Sequence, residues 1–290
     1  MATETQTDTG TEGFSGVFDH EVRERLLSVG FRLLTVALLV FLWIPLAVMV
    51  ILSFMQNSST FFPFQGVTLQ HYTATFADEA LMGSLFTSVQ IATISAVIAT
   101  VLGVLASFGL ARYDFPYKEA YRTIGILPMV IPGVVLGIAL LIYFQTLLGL
   151  SPGFLTLVLT HSVYGFPFVL LIVTSRMYTF DESLEEAARD LGADPLTVFK
   201  DVTFPVIAPA IGAGFLFAWI RSFEDFIRAH FVKGVMDVLT TAMFGMIKFG
   251  AAPKMNAISS FIVFVIAVVL AVAMNVGNVT GYVAGTEEEE

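Results

Sequence analysis

Cysteine is absent from this sequence, and charged residues are few. Of its 290 residues, 13% are Asp, Glu, Lys or Arg and 56% are hydrophobic, with a mean hydropathy of +0.83. Without cysteine the chain has no disulfide, no thiol nucleophile and no cysteine-based metal site. A soluble domain of this size needs more polar groups to cover its surface. The composition therefore indicates a membrane protein, and the net charge of −10 argues against a nucleic-acid partner.

Several enzyme motifs are also missing. The sequence contains no Gly-Lys dipeptide, so it cannot form the G-x-x-x-x-G-K-[ST] loop that holds nucleotide phosphates. It has no H-E-x-x-H and no G-x-S-x-G motif, and His161 lacks an evident nucleophile partner. We therefore predict no catalytic residue, no metal and no cofactor here, so the chain is not expected to be an enzyme.

Long uncharged runs predict the architecture. A helix needs about 20 apolar residues to cross a hydrocarbon core of about 30 Å. The run 123–175 is too long for one crossing, and the turn signal GLSPG at 149–153 divides it. Since helices satisfy their own backbone in lipid, we expect an all-α, polytopic membrane helix bundle. Six crossings are predicted, near residues 32–55, 85–111, 123–146, 154–175, 206–224 and 257–282.

Basic residues predict the orientation of the chain in the cell membrane. The nine Lys and Arg before position 205 all lie on one side of the predicted crossings. The connections 56–80 and 147–153, on the other side, contain none. Both termini and the segment 179–205 are therefore expected to be cytoplasmic. The remaining five basic residues face outward, and their lysines predict either a contact with an acidic extracellular binding protein or a hairpin: Arg221, Arg228, Lys233, Lys248 and Lys254.

Three parts of the chain differ in composition. Residues 1–30 are polar and acidic without a cleavage site, which predicts a disordered cytoplasmic tail rather than a signal peptide. Residues 31–283 form the predicted transmembrane domain, and 284–290 form a second acidic tail. The excess of acidic residues extends to the segment 179–205 and is typical of a high-salt cytoplasm. Residues 71–86 are predicted to form an amphipathic helix at the outer interface.

The cytoplasmic segment 179–205 carries helix signals at fixed positions. Thr179 and Glu182 are three residues apart, as in a capping box, and Asp181 offers an alternative cap. Gly192 can end the first helix in the left-handed conformation. The Asp-Pro dipeptide at 194–195 predicts the start of a second helix. The segment is therefore expected to form a helix, a tight turn and a second helix. Small and apolar residues share one face of the first helix and leave room for another protein: Leu184, Ala187, Ala188 and Leu191.

This segment resembles the signature of ABC-importer permeases. Glu186, Ala187 and Ala188, followed by Gly192 and by VTFP at 202–205, resemble EAA–x3–G–x9–I–x–L–P, with Val for Ile and Phe for Leu. In that family, the segment docks on a separate ATP-hydrolysing subunit. The resemblance implies the type I, MetI-like permease fold, with ATP bound by a cytoplasmic ABC ATPase dimer, a second permease subunit and an extracellular solute-binding protein. It implies a role in ATPase coupling for Glu185, Glu186, Ala187, Ala188, Asp190, Gly192 and Pro205.

Further stretches resemble one subfamily, the second permease of spermidine/putrescine importers. They are residues 44–54, 66–78, 110–118, 127–141 and 190–205. The resemblance implies a polyamine substrate. Importers of opines, thiamine, ferric iron and phosphonates have similar permeases, so these substrates remain alternatives. The sequence departs from the polyamine pattern at Gly133, where an acidic residue is common, and at 224–225, where Glu-Asp replaces two aspartates.

A polar cluster, WIRSFEDFIRAHF at 219–231, follows the fifth crossing. Glu224 lies about 27 Å along this helix from Val206, near the outer boundary. Ionisable groups at such a depth indicate a functional site. The alternative is a self-neutralising structure, in which the charges pair at i,i+4 as 221–225 and 224–228. We predict that the substrate path contains Ser222, Glu224, Asp225 and Phe226.

A secondary transporter or channel is the main alternative function. It would carry ionisable groups along several helices, whereas this sequence places them almost wholly at helix ends. His161 is the exception, in the middle of the fourth crossing. An interhelical hydrogen bond and a proton relay are both consistent with its position. Pro128 and Pro132 predict a kink in the third crossing.

Overall fold

The computed structural model describes residues 12–57, 64–249 and 252–276. Apart from an isolated bridge between Met55 and Val67, the regular secondary structure of these ranges is helical, as predicted. Two π-helical turns are also present, Tyr143–Leu147 and Phe199–Thr203. The helices are α1 Glu12–Phe54, α2 Gln70–Phe76, α3 Glu79–Arg112, α4 Lys118–Val130, α5 Gly133–Ile142, α6 Phe154–Tyr178, α7 Ser183–Asp190, α8 Pro195–Val198, α9 Phe204–Phe223, α10 Ile227–Val232, α11 Leu239–Phe249 and α12 Ala252–Val276.

Four helical stretches in the described ranges are long and apolar enough to cross a membrane. They are Leu27–Phe54, Glu79–Arg112, Phe154–Tyr178 and Pro195–Phe223. They correspond to the first, second, fourth and fifth predicted crossings. The apolar part of α12, Pro253–Val268, is shorter, and the predicted sixth crossing extends beyond it into residues outside the described ranges. Helix α1 begins at Glu12, within the predicted tail 1–30, whereas residues 1–11 and 284–290 lie outside the description.

The predicted third crossing, 123–146, is not one helix. Helix α4 and the stretch Gly133–Leu147 are bent by 104° relative to each other. The break lies at Ile131 and Pro132, which both have extended backbone conformations. Proline disfavours a helical conformation of the residue before it, and it has no N–H to continue the hydrogen-bond ladder. The predicted kink is therefore confirmed, but it divides the segment into two helices.

The described residues form two compact units, 12–57 and 64–72 with 252–276, and 73–249. In the first unit, α1 packs against α12. The Ser53 hydroxyl lies 2.7 Å from the Tyr72 hydroxyl, and the Tyr72 ring lies 5.1 Å from the ring of Phe54. These contacts tie the end of α1 to the start of α2.

The second unit is built around α3, α6 and α9, a three-helix core in which α3 and α6 run parallel and α9 runs antiparallel to both. Small residues allow these helices to approach closely. A Cβ atom at Gly103 of α3 would lie 2.7 Å from the Cβ of Val169 in α6. The Ser107 hydroxyl adds a hydrogen bond of 3.1 Å to the backbone oxygen of Leu170. The buried centre of this core contains Ala96, Ala99, Val169, Val173, Met177, Ile207 and Ala218.

The amphipathic helix predicted over residues 71–86 is interrupted. Helix α2 ends at Phe76 and α3 begins at Glu79. Asp78 lies between them with an extended backbone, and its carboxylate accepts a hydrogen bond of 3.2 Å from the N–H of Leu81. This is an N-cap, which starts a new helix rather than continuing the previous one.

Candidate functional sites at the two ends of the three-helix core

The two ends of the three-helix core carry the two candidate sites. The inner end is the one where α3 ends at Arg112 and α6 ends at Tyr178, and it carries α7 and α8. The outer end is the one where α9 ends at Phe223. The coupling segment, residues 179–205, lies at the inner end, and the predicted substrate-path residues lie at the outer end.

The coupling segment folds as helix, turn and helix, as predicted. Gly192 has φ +89°, in the left-handed region that favours glycine, and it ends α7. The carboxylate of Asp194 accepts a hydrogen bond of 3.0 Å from the N–H of Thr197, which caps α8. Hydrogen bonds from Thr197 also lower the pKa of Asp194. Its carboxylate therefore stays ionised at the start of α8, where the helix dipole favours negative charge.

The predicted capping box between Thr179 and Glu182 is wrong. Helix α6 continues to Tyr178, so Thr179 belongs to its end, and the Thr179 hydroxyl donates a hydrogen bond of 3.0 Å to the oxygen of Arg176. Asp181, the alternative cap, precedes the N-cap residue Glu182, and its carboxylate accepts a hydrogen bond of 3.0 Å from the N–H of Ser183, which lowers the pKa of that carboxyl.

The predicted coupling residues divide between two faces of the segment. Glu185 is buried and points into the protein, and Ala188 is partly buried. The remaining predicted coupling residues are exposed: Glu186, Ala187, Asp190, Gly192 and Pro205. Large apolar side chains extend this exposed face, namely Leu184, Leu191 and Leu196. The segment therefore presents apolar and acidic groups together on its open face.

Glu185 accepts hydrogen bonds from three side chains. Arg112 Nη2 lies 2.8 Å from its Oε1, the Thr203 hydroxyl 2.6 Å from the same oxygen, and Arg189 Nη2 3.1 Å from its Oε2. Arg112 also pairs with the exposed Glu182 at 2.5 Å. The sequence analysis included Glu185 among the coupling residues but did not identify Arg112 or Thr203 as its partners. No local pattern indicates them, because Arg112 lies 73 residues before Glu185.

Other contacts also join helices at the inner end. The Arg112 guanidinium lies 5.2 Å from the centre of the Phe180 ring. Arg176 donates a hydrogen bond of 3.2 Å to the backbone oxygen of Val206, which ties the end of α6 to the start of α9. The Tyr178 hydroxyl donates to the backbone oxygen of Leu110 at 3.4 Å. The coupling segment is thus attached to a firmly connected set of helix ends.

At the outer end, the predicted i,i+4 ion pairs are wrong. Arg221 pairs with Glu224, and Arg228 pairs with Asp225 at 3.1 Å, so both pairs have i,i+3 spacing. The predicted pairs require one continuous helix. Helix α9 ends at Phe223 and α10 begins at Ile227, so the chain turns between the partners. The four charges still neutralise one another, as the self-neutralising alternative predicts.

The Asp225 pair belongs to a buried polar network. His161 Nδ1 lies 2.7 Å from the Ser222 hydroxyl, which lies 3.0 Å from the hydroxyl of Ser95. These contacts join α6, α9 and α3, so the predicted interhelical hydrogen bond of His161 is confirmed. His161 Nε2 is 3.7 Å from Asp225 Oδ2, and neither atom has a hydrogen-bond partner. The network therefore retains unsatisfied polar atoms beside the charge of Arg228.

The Glu224 pair is more open. The side chain of Glu224 is 51% exposed, compared with 5% for Asp225. Arg221 contacts both Glu224 and the hydroxyl of Tyr164. The Arg228 guanidinium lies 3.4 Å from the centre of the Tyr164 ring, so Tyr164 connects the open pair to the buried one. The outer polar cluster therefore comprises Ser95, His161, Tyr164, Arg221, Ser222, Glu224, Asp225 and Arg228.

Two other predicted features lie beside this cluster. Phe226 is partly buried, and its ring lies 4.7 Å from that of Phe244. Gly133, at the start of α5, faces Arg228: a Cβ there would lie 3.4 Å from the guanidinium carbon. An acidic side chain at this position would therefore meet Arg228 before it met a substrate.

The lysines that the sequence predicts to face outward differ in their surroundings. Lys233 Nζ lies 2.7 Å from a carboxylate oxygen of Asp237 and donates to the backbone oxygen of Met236 at 3.0 Å. Lys248 is exposed and lies 5.0 Å from the centre of the Phe244 ring. Lys233 is thus engaged within its own loop, whereas Lys248 is open to solvent, and the contact of Lys233, Lys248 and Lys254 with a binding protein stays a prediction.

A bundle with membrane-spanning helices, an exposed helix–turn–helix at one end and a polar cluster at the other is consistent with a membrane transport subunit. A family model described as "binding-protein-dependent transport system inner membrane component" matches residues 99–279. The chain is 34% identical over 251 residues to the spermidine/putrescine transport system permease protein PotC of Escherichia coli (strain K12), covering 86% of this chain and 92% of that protein. It is 33% identical over 236 residues to the putrescine transport system permease protein PotI of the same strain, covering 79% and 84%.

Solved structures agree in fold. A bacterial ABC transporter involved in the import of the acidic polysaccharide alginate has a chain that superposes with a TM-score of 0.66 at 14% identity, covering 92% of this chain and 99% of that one. The MetNI methionine ABC transporter gives a TM-score of 0.52 at 18% identity, covering 63% and 89%.

This chain belongs to the family of inner-membrane components of binding-protein-dependent transport systems. It is a permease subunit of an ABC importer with the MetI-like fold, so the predicted family and fold class are confirmed. The relatives that it matches are named as permease proteins of transport systems.

Proposed function

We propose that this subunit forms, with a second permease subunit, the membrane path of an ATP-driven importer of polyamines. The observation that carries the proposal is the similarity to PotC, named for spermidine and putrescine transport, over 86% of this chain. PotI, named for putrescine transport, points to the same class of substrate. Polyamines are flexible organic polycations, so carboxylates and aromatic rings are their natural partners.

The chemistry of the outer polar cluster supports a cationic substrate. Glu224 is the more exposed of the two carboxylates of this cluster, and its partner Arg221 lies 5.4 Å and 5.8 Å from the centres of the Tyr164 and Phe168 rings, which pack edge to face. The Phe217 ring lies 5.2 Å from that of Phe168. An ammonium group that reached Glu224 would find a carboxylate and aromatic faces together. In this proposal, Ser222, Asp225 and Phe226 hold the surrounding structure of the substrate path, and Glu224 faces the substrate.

The exposed face of the coupling segment supports the ATPase partner. Leu191 and Leu196 are 89% and 72% exposed on a helix–turn–helix of fixed geometry. Glu186 and Asp190 lie on the same open side. A cytoplasmic ABC ATPase dimer docks on this face, and an extracellular binding protein delivers the substrate at the outer end. Both termini are cytoplasmic, since nine of the fourteen basic residues lie on the side of the coupling segment.

Uptake measurements test the proposal. The four subunits of the importer are co-expressed in cells that lack their own polyamine transporters, and uptake of radiolabelled spermidine and putrescine is measured. We expect accumulation that depends on the ATPase subunit. A matched strain in which this permease alone is omitted should show none. Accumulation by this chain without an ATPase would instead identify a secondary transporter or channel.

An oxyanion is the second candidate substrate. The molybdate/tungstate transport system permease protein WtpB of Thermococcus kodakarensis is 35% identical over 148 residues, covering 51% of this chain and 57% of that protein. Two arginines of the outer polar cluster, Arg221 and Arg228, would favour an anion, and Arg228 Nε has no hydrogen-bond partner. The same cells are therefore assayed for molybdate uptake. Molybdate uptake without spermidine uptake would overturn the polyamine assignment.

A further inference from the structure

The buried carboxylate of Glu185 joins three separate parts of the chain. Its donors are Arg112 at the end of α3, Arg189 within α7 and Thr203 at the end of the π-helical turn that leads into α9. The side chains of Arg112 and Glu185 are 16% and 10% exposed, so water competes little for these bonds. Hydrogen bonds between ionised groups are shorter and stronger than those between neutral groups. This carboxylate therefore forms a compact connection between the coupling segment and the core helices.

The helices that meet at Glu185 continue to the outer polar cluster. From Phe204 to Phe223, α9 extends for about 29 Å without a break. Near its outer end, Ser222 is bonded to His161 of α6 and to Ser95 of α3. Between the two ends, Gly103 brings α3 into direct contact with Val169 of α6. The coupling segment and the outer polar cluster are thus connected through tightly packed, continuous helices.

We propose that Glu185 is a positioning residue that fixes α7 to α3 and α9, so that displacement of the coupling segment moves the three-helix core as one body. The proposal rests on the proposed function, because it assumes that an ATPase displaces the segment. It gives Glu185 and its neighbour Glu186 different roles. Glu186, on the exposed face, contacts the ATPase, and Glu185 transmits the resulting motion to the outer polar cluster.

The charge of Glu185 is essential to this role. A carboxylate offers two oxygens and only accepts, which suits three donors. A glutamine of nearly the same shape would turn its NH₂ group toward Arg112 or Arg189, where a donor faces a donor. Arg112 would keep its second partner, Glu182, so Glu185→Gln does not leave an unpaired buried cation. This substitution therefore weakens the connection while preserving the fold.

Transport and ATP hydrolysis are measured together to test this role. The complete importer is reconstituted in proteoliposomes, and spermidine uptake and ATP hydrolysis are followed in the same preparation. For Glu185→Gln, we expect the ATPase to co-purify normally and to hydrolyse ATP within about two-fold of the wild-type rate. Uptake per ATP hydrolysed should fall by about ten-fold, since a lost charge-assisted connection of this kind typically contributes on that order to coupling.

Two variants serve as controls. Glu182→Gln removes the exposed partner of the same Arg112 and should change neither uptake nor hydrolysis by more than about two-fold, as expected for a surface ion pair. Glu186→Lys should abolish co-purification of the ATPase. If Glu185→Gln also loses the ATPase, Glu185 is a docking contact, and the proposal is overturned. Unchanged uptake per ATP in Glu185→Gln would overturn it as well.

A second measurement is independent of the substrate. The chain has no cysteine, so Ser183→Cys on α7 and Val235→Cys beyond α10 can be spin-labelled as a pair in the assembled importer. Both positions are exposed. We expect a narrow distance distribution in the wild type and a clearly broader one with Glu185→Gln. Equal distributions would contradict the positioning role. Absence of spermidine uptake by the wild-type importer would contradict only the polyamine assignment, because the distance measurement requires no substrate.

Discussion

Two ion pairs at the outer end have different environments, although they lie within eight residues of sequence. Arg221 and Glu224 are partly open, whereas the side chains of Asp225 and Arg228 are buried. Burial of a charge pair costs desolvation energy, and the attraction between the two charges offsets only part of this cost. An open pair is screened by solvent and contributes little to stability. Replacing the carboxylate by an amide should therefore have different effects at Glu224 and at Asp225.

Asp225→Asn should destabilise the protein. The substitution leaves the Arg228 guanidinium buried without a counter-charge, which typically costs about 3–5 kcal/mol. The measurement is thermal or denaturant unfolding of the purified protein in detergent. The matched control is Glu224→Gln, for which we expect a change below about 1 kcal/mol. A second variant, Asp225→Asn with Arg228→Gln, should recover much of the loss, because it removes both charges. Equal stabilities of Asp225→Asn and Glu224→Gln would contradict the assignment.

Glu224→Gln should weaken substrate recognition instead. The loss of one charge-assisted contact with an ammonium group should raise the KM for spermidine by about ten-fold, with little change in protein level. Uptake kinetics at increasing spermidine concentrations measure the effect. The control is Glu79→Gln, an exposed glutamate at the start of α3, which should leave the KM unchanged. A normal KM in the Glu224 variant would remove this carboxylate from the substrate path.

The sequence predicted members of the outer polar cluster more accurately than it predicted their pairing. Ser222 and His161 lie within long apolar helices, as predicted, because apolar runs define those helices in the sequence. The ion-pair partners were wrong, because they depend on where α9 stops, at Phe223. Neither proline nor glycine marks this end in FEDFIR at 223–228. Tyr164 was also missed, since its ring meets Arg228 only through the packing of α6 against the start of α10.

At the scale of elements, the coupling segment was predicted accurately because its signals are local. Gly192 ends α7, and Asp194 and Pro195 start α8, as the spacing indicated. The predicted capping box was wrong because α6 extends to Tyr178, so Thr179 is the C-cap of α6. The bend of 104° at Ile131–Pro132, by contrast, was predicted only in part. Proline predicts that the helix is interrupted, but the angle depends on the packing of α5 against α10, which no local pattern encodes.

Gly192→Pro should abolish uptake without preventing membrane insertion. Proline fixes φ near −65°, whereas Gly192 has φ +89° and donates its N–H to the backbone oxygen of Arg189 at 2.9 Å. The turn between α7 and α8 would therefore be rebuilt and the exposed docking face lost. Uptake and ATPase co-purification are measured, with the amount of protein in the membrane as the reference.

Gly192→Asn is the matched control for the turn. Asparagine tolerates the left-handed region better than other residues with a side chain. A Cβ at this position meets no other atom within 4 Å, so only the backbone conformation is tested. We expect substantial uptake by the asparagine variant. Normal uptake by Gly192→Pro would show that the geometry of this turn is not required for coupling.

At the scale of the whole molecule, the second unit is organised as a rigid core with functional groups at its ends. The middle of α3, α6 and α9 contains small and apolar residues in close contact, such as Gly103 against Val169. Charged side chains of this unit concentrate at the inner end around Glu185 and at the outer end around Asp225. This separation suits the proposed function, in which an ATPase site at one end and a substrate path at the other respond to each other across the membrane.

Cysteine labelling tests which end faces the cytoplasm. The chain has no native cysteine, so single substitutions report one position each. Leu191→Cys lies at the inner end and Val235→Cys at the outer end, and both native side chains are highly exposed. Since Lys and Arg concentrate on the side of the coupling segment, we expect this side to be cytoplasmic. A membrane-impermeant maleimide added to intact spheroplasts should then label Val235→Cys readily and Leu191→Cys only after permeabilisation.

An ATPase bound to the coupling segment shields position 191, so labelling is also measured in a strain without the ATPase subunit. Labelling of Leu191→Cys in intact spheroplasts would invert the orientation, and it would place the exposed face of α7 and α8 on the side of the membrane where no ATP is available to a partner.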